Sequence, residues 1–188
     1  MYGFRRFGIK LGLSTIKRIL AGLGNPQDTF ACIHVAGTNG KGSVASMLAG
    51  ILQTAGFSVG LYTSPHLIHF NERIRIDGRP VTDLEIVEAY RAIRKVQEGD
   101  REPTFFEFTT AMALHLFKQH RVDWAVVETG MGGRLDATNV SDPLASAIVS
   151  VAFDHQVYLG DTLSSIAREK AGVVRSGRPT VVGPLSAE

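Results

Sequence analysis

The segment Gly37-Thr38-Asn39-Gly40-Lys41-Gly42-Ser43 sits between an apolar run and an amphipathic one. Glycines at such a place free backbone N–H groups to curl around phosphate oxygens. A following helix turns its positive N-terminal end toward them, and Lys41 supplies a mobile cation. Strand, glycines, lysine, hydroxyl and helix come in the order a phosphate loop requires. The string departs from regular GxxxxGK[ST], because position 35 is Val and Gly42 separates Lys41 from Ser43. A glycine-rich turn without a ligand is the competing reading, and the ordered set of features weighs against it.

Three further groups follow apolar runs: Ser64 in Thr63-Ser64-Pro65-His66, Glu128 after Trp124–Val127, and Asp154-His155 after the run that begins at Ala145. Beside a phosphate loop, a carboxylate is the usual holder of magnesium. Standing alone, Glu128 reads equally as an exposed strand-end carboxylate. Ser64 alone is a turn residue before proline. His155 alone is a surface or structural histidine, since magnesium prefers oxygen. Lys170, late in a helix, reads as a solvated charge favoured by the dipole. Phe105-Phe106-Glu107 reads equally as core plus a first-turn glutamate or as aromatics flanking a flat ligand. The histidines His34, His66, His69, His115 and His120 have no zinc spacing, there is no GxSxG, and Cys32 has no evident histidine partner.

Alternating β and α patterns must position these groups. Residues 30–36 predict a buried strand. Val44, Met47, Leu48, Ile51, Leu52 and Ala55 predict one helix face ending at Gly56. Residues 57–62 predict a second strand, and residues 73–76 with the Asp77-Gly78 turn predict a short excursion. Thr82 with Glu85 forms a capping box for a helix to about Val96. Phe105, Phe108, Met112 and Leu116 mark another helix. Strands follow over Trp124–Val127 and Ala145–Phe153, separated by the loop Thr129–Asn139. Asp161 or Thr162 caps a helix to about Ala171, and residues 179–182 begin a last strand. This alternation predicts an α/β fold with a mostly parallel sheet and flanking helices, a P-loop-type nucleotide-binding domain. In such sheets ligands bind beyond the carboxyl ends of the strands. Four predicted strand ends thus deliver phosphate- or metal-compatible groups to one edge, which carries more weight than any one of them.

The chain has 188 residues, enough for one domain with a sizeable core. With 44% apolar and 20% charged residues it is neither disordered nor fibrous. Its 20 basic and 18 acidic residues are mixed along the chain, which argues against a nucleic-acid partner. A single cysteine forms no internal disulfide. No apolar stretch is long enough to span a membrane, and MYGFRRFGIK lacks a signal-peptide core. A reduced, cytoplasmic setting is expected. The chain stops just past a predicted strand with nothing to close the sheet, so an interrupted domain, incomplete at its C-terminal side, is expected over residues 1–188.

HVAGTNGKGSVASMLAGIL resembles the nucleotide loop of the Mur ligase superfamily. LYTSPHLIHFNERIRIDG, FFEFTTAMAL, VETGMGGRLDATN and DHQVYLGDTLSSIAREKAGVV together resemble folylpolyglutamate synthase and its bifunctional form with dihydrofolate synthase. The resemblance runs from about Phe7 to about Gly183. Cell-wall Mur ligases carry a UDP-sugar domain before the loop, whereas 36 residues precede Gly37 here, which favours the folate branch.

The resemblance implies an ATP-dependent ligase that joins L-glutamate to a folate or dihydropteroate carboxylate through an acyl phosphate, with ATP and Mg2+ as cofactors. Residues Gly37 to Ser43 would bind the ATP phosphates, with Lys41 at the transferring end. Ser64, Glu128 and His155 match the family's magnesium ligands. Lys170 matches a lysine carried as a carbamate, which demands a neutral amine. Thr104, Phe105, Phe106 and Glu107, with Leu135, Asp136 and Ala137, match segments near the pterin-bearing substrate, as does Gly8–Leu11. Ala152, Phe153 and Gln156 depart from the family pattern around His155. The family continues into a second α/β domain that helps close over ATP and holds residues for glutamate. A monomer is expected at full length, and the absence of that domain here implies a 188-residue chain with little turnover of its own. Two alternatives stay open, a non-catalytic nucleotide-binding remnant and a Mur-like ligase with another acid acceptor.

Overall fold

The computed structural model of the chain describes residues 12–97 and 101–184. In chain order the elements are α1 (Ser14–Gly22), β1 (Ala31–Ala36), α2 (Lys41–Thr54), β2 (Val59–Tyr62), β3 (Ile74–Ile76), β4 (Arg79–Pro80) and α3 (Asp83–Val96). They continue with α4 (Phe105–Gln119), β5 (Trp124–Glu128), β6 (Ala145–Ile148), α5 (Gln156–Leu159), α6 (Leu163–Ala171) and β7 (Thr180–Val182). One sheet runs in the order β4-β3-β2-β5-β1-β6-β7. From β2 to β7 every pairing is parallel, and β3 and β4 add an antiparallel edge. The expected mostly parallel α/β architecture is therefore what forms.

Helices cover both faces, as a parallel sheet requires. Alternate residues of the central strands divide between two cores. Ala125 and Val127 of β5 join Cys32 and Tyr62 beneath α1, α3 and α4. Val126 joins Val35, Val59 and Leu61 beneath α2. Register fixes where the strands end. Val35 lies opposite Glu128, and Tyr62 opposite Val127, so β1, β2 and β5 deliver their following residues side by side.

Helix boundaries follow their caps. Thr82 accepts from the Glu85 N–H, and Glu85 accepts from the Thr82 N–H, as the sequence predicts for α3. Between the two candidate caps of α6, Thr162 is the one used.

Two sequence expectations change, and one helix is added. The predicted inner face of α2 is rotated: Met47 and Ile51 are 63% and 65% exposed, while Ala45 and Ala49 are buried. The small alanines let the helix lie close on β1 and β5, and this close approach outweighs burial of the larger side chains. The strand predicted over Ala145–Phe153 stops at Ile148, because the backbone beyond it turns to hold the glycine loop. Helix α1, which had no clear sequence signal, buries Ile16, Ile19 and Leu20 in the main core. Gly8–Leu11 lies outside the described residues.

Candidate functional site

The glycine loop occupies the turn between β1 and α2. Gly40 takes a left-handed conformation, φ 80°, as the residue before α2, and no side chain caps that helix. The first-turn N–H groups of α2 are therefore left to whatever binds there. At Gly37, a Cβ would approach Val149 Cβ at 3.1 Å and the Ser150 N at 3.2 Å, so glycine permits the close passage of the loop over residues 149–150.

Those residues clamp the loop. The Thr38 N–H donates to the Ser150 carbonyl at 2.9 Å. The Asn39 N–H donates to Ser150 Oγ at 3.0 Å, and Ser150 Oγ donates to the Asn39 carbonyl at 3.0 Å. Thr38 Oγ1 both donates to the Ala152 carbonyl and accepts from the Ala152 N–H. Ser150 falls inside the strand predicted over Ala145–Phe153, and its only signal in the sequence is a serine interrupting an apolar run. Lys41 Nζ folds back onto the Thr38 carbonyl at 3.1 Å.

Glu128 closes β5 and is buried. Its Oε2 accepts the Ser64 N–H at 3.0 Å, which ties the ends of β5 and β2 together. Burial raises the Glu128 pKa; the Ser64 N–H and the Lys41 charge oppose that shift. Gly42 makes room for this carboxylate, since a Cβ there would lie 3.4 Å from Oε2.

Lys170 is only 2% exposed, so the solvated-charge reading fails. Its pKa is pushed down to about 8, first by burial and then by the Lys41 charge, against the pull of Asp154. The loop after β5 packs on the end of this helix: Arg134 donates its N–H to the Glu169 carbonyl, and a Cβ on Gly133 would press on the Glu169 and Lys170 carbonyls at 2.8 Å.

His155 stands apart. It takes a left-handed conformation before α5 and is half-exposed, with Nε2 3.6 Å from Asp154 Oδ2. Among the described residues no three His, Cys, Asp or Glu side chains converge on one point. The structure brings Ser64, Glu128, Lys41 and Lys170 into one neighbourhood, and no hydrogen bond joins His155 to them.

The two segments predicted near a flat substrate differ in character. Thr104 caps α4 in a capping box with Glu107. Glu107 is buried and also accepts two hydrogen bonds from Arg101, at 2.6 and 2.9 Å, so its oxygens are taken up structurally. Phe105 is partly exposed, and Phe106 lies tilted against Tyr62 with ring centroids 6.0 Å apart. Leu135 is partly buried, and Asp136 and Ala137 are buried. Asp136 accepts from the Met131 N–H and from both the N–H and the hydroxyl of Thr138. With the Thr138 hydrogen on Asp136, His34 Nε2 must be the donor in its 2.8 Å contact with Thr138 Oγ1. Its Nδ1 is enclosed without a partner. Sequence reading missed this buried line from β1 to the loop.

No protein-family model matches the chain. It is 42% identical over 194 residues to the dihydrofolate synthase/folylpolyglutamate synthase of Bacillus subtilis, covering 100% of this chain and 45% of that protein. It is 47% identical over 176 residues to the folylpolyglutamate synthase of Lacticaseibacillus casei, covering 90% of this chain and 41% of that protein. An FPGS–AMPPCP–folate complex matches with a TM-score of 0.93 at 45% identity, over 98% of this chain and 46% of that one. Escherichia coli FolC in complex with DHPP and ADP matches at 0.91 and 40% identity, over 96% and 43%. The chain spans less than half the length of these relatives.

Proposed function

We propose, for a chain homologous along its whole length to the folylpolyglutamate and dihydrofolate synthases, that it is the ATP-binding part of an acid–amino-acid ligase. The reaction adds L-glutamate to the carboxylate of dihydropteroate or of a folate, with ATP as phosphoryl donor. The supporting observation is the single edge onto which parallel β1, β2, β5 and β6 deliver the glycine loop, Ser64, Glu128 and the Ser150 clamp.

A carboxylate is a poor electrophile. In the first step one of its oxygens attacks the γ-phosphorus, and the bond to the ADP oxygen breaks. In the second the glutamate amine attacks the acyl carbon, inorganic phosphate leaves, and the nitrogen gives up a proton. Residues Gly37–Ser43 hold the phosphates with backbone N–H groups and the uncapped end of α2. Lys41 releases the Thr38 carbonyl and neutralises charge on the transferring oxygens. Phe105 and Phe106 flank the flat end of the acid substrate, with Leu135 and Ala137 beside it, while Thr104, Glu107 and Asp136, whose oxygens are bonded within the protein, position those two segments.

Magnesium fits the donors around Glu128. Among the described residues its Oε1 accepts no hydrogen bond, and Ser64, whose N–H holds Oε2, would supply its hydroxyl as a second donor; His155 is the third candidate holder. When bound, the ion would neutralise phosphate charge. Lys170, with its depressed pKa, is suited to carry a carbamate that presents an anionic oxygen at the same edge.

Residues 1–188 form a nucleotide-binding domain that needs the remaining length of its relatives for turnover. The full protein acts as a cytoplasmic monomer on small molecules. Among the described residues no helix is long and apolar enough to cross a membrane. The test measures glutamate-dependent ADP release by the full-length protein, which should vanish in Lys41→Ala, and by the 188-residue chain, which should bind ADP but release little. Absence of glutamate-dependent release from the full-length protein overturns the ligase reading. Release by the chain alone, abolished in Lys41→Ala, overturns the need for the rest.

A further inference from the structure

Arg73 is a buried cation without a counter-ion among the described residues. It is the last residue of a short 3-10 turn, Phe70–Arg73, and is 8% exposed. Its carbonyl accepts the Thr63 N–H at 3.0 Å, which fixes it against the end of β2, one residue from Ser64. Its Nε–H donates to His66 Nδ1 at 2.8 Å, and its guanidinium carbon lies 5.3 Å from the centroid of the Phe105 ring.

A guanidinium keeps its charge at any pH proteins meet and brings five N–H donors. Four of these have no acceptor among the described residues, and no carboxylate lies within ion-pair distance. The neighbouring carboxylate, Glu72, is turned away and accepts the N–H groups of Leu67, Ile68 and His69. The terminal nitrogens are not among the fully enclosed orphans, so the remaining opening of this side chain lies at its tip. Its field reaches both Glu128 and Tyr62. A buried, unpaired charge is costly to the fold. An imidazole and an aromatic face orient this one, but neither neutralises it. An oxyanion presented bidentately would.

Resting on the ligase reading above, the geometry points to Arg73 as the receptor for the carboxylate of the acid substrate. The guanidinium sits between the Ser64 strand end and the Thr104–Glu107 segment, where the acid end of a molecule held by Phe106 would lie. His66 and Phe105 are its positioning residues. The terminal phosphate of the nucleotide is the other oxyanion that could use the same fork, and the experiment separates the two.

Binding of folate, of folate dimethyl ester and of ADP is measured by calorimetry on the purified chain and on Arg73→Gln and Arg73→Lys, with thermal melts of each. The chain should prefer folate over its ester by at least tenfold. Arg73→Gln should erase that preference and leave ADP affinity within twofold. Arg73→Lys, which keeps the charge without the fork, should fold even if Arg73→Gln does not, and should retain only part of the preference. A preference that survives in both variants overturns the inference. So does a loss that falls on ADP instead, which would assign the guanidinium to phosphate. A chain that binds ADP but shows no preference for folate over its ester overturns it too while the nucleotide reading stands. A chain that binds neither takes down both.

Discussion

Glu128 Oε2 accepts the backbone N–H of Ser64 at 3.0 Å, so the last residue of one parallel strand holds the first turn beyond its neighbour. The bond serves two ends at once. It satisfies an N–H that would otherwise be orphaned beside the core, and it leaves the other carboxylate oxygen without a hydrogen bond among the described residues. Glutamine at 128 preserves the acceptor and removes the charge; alanine removes both. Glu128→Gln should therefore keep urea stability within about 1 kcal/mol, whereas Glu128→Ala, which strands the Ser64 N–H, should cost about 1–3 kcal/mol. Both should lose any magnesium-dependent gain in ADP affinity. Equal stability losses for the two variants would refute this division of roles.

The depressed pKa of Lys170, about 8, makes its amine substantially neutral near that pH. Only the neutral amine attacks carbon dioxide. With labelled bicarbonate, a carbamate carbon resonance should grow between pH 7 and pH 9 and be absent in Lys170→Met. A resonance unchanged by that substitution would belong to some other amine.

Burial pushes the His34 pKa down to about 3, with the Arg175 charge adding to the effect. The unfolded chain returns this group to its ordinary value of 6.5. Between the two values the unfolded state binds the extra proton. The contribution of His34 to stability is thus complete above about pH 6.5 and is lost as pH falls toward 3, by at most about 1.4 kcal/mol per pH unit. Urea midpoints of the chain and of His34→Asn should converge as pH drops from 7 to 4. Parallel pH curves would show that His34 does not titrate on unfolding.

How much of this was legible in the sequence depends on range. The glycine loop, the Thr82 and Thr162 caps and the ends of β1, β2 and β5 are local patterns, and each was readable within a dozen residues. The clamp on the loop was not, because Ser150 meets Asn39 across 111 positions and looks like an ordinary strand residue. Arg73 carried no signal either, since an arginine in Arg73-Ile74-Arg75-Ile76 reads as the polar half of an alternating strand. Its burial depends on Phe105 arriving from α4. The Met47 and Ile51 error has the same root: periodicity gives a helix an apolar stripe, but the partner surface decides which side is pressed against it. Lys170 shows the converse, a residue whose local reading as a solvated charge was overruled by tertiary packing.

Gly130 lies directly after Thr129, whose N–H bonds the Val35 carbonyl, and a Cβ on it would sit 2.5 Å from Phe106 Cζ. The ring cannot move freely, because Tyr62 flanks it and the capped first turn of α4 fixes its backbone. Gly130→Ala must therefore tilt Phe106 or shift the loop that carries Asp136. Overpacking of this kind costs about 1–3 kcal/mol. The two segments proposed for the acid substrate move together in either case, while the glycine loop on the other side of Glu128 is untouched. Folate affinity should fall at least fivefold with ADP affinity nearly unchanged. Adding Phe106→Leu should recover stability by relieving the clash, but not folate affinity, because the ring itself is gone. If Gly130→Ala weakens both ligands alike, the two halves of the site are mechanically coupled and the separate roles assigned to them fail.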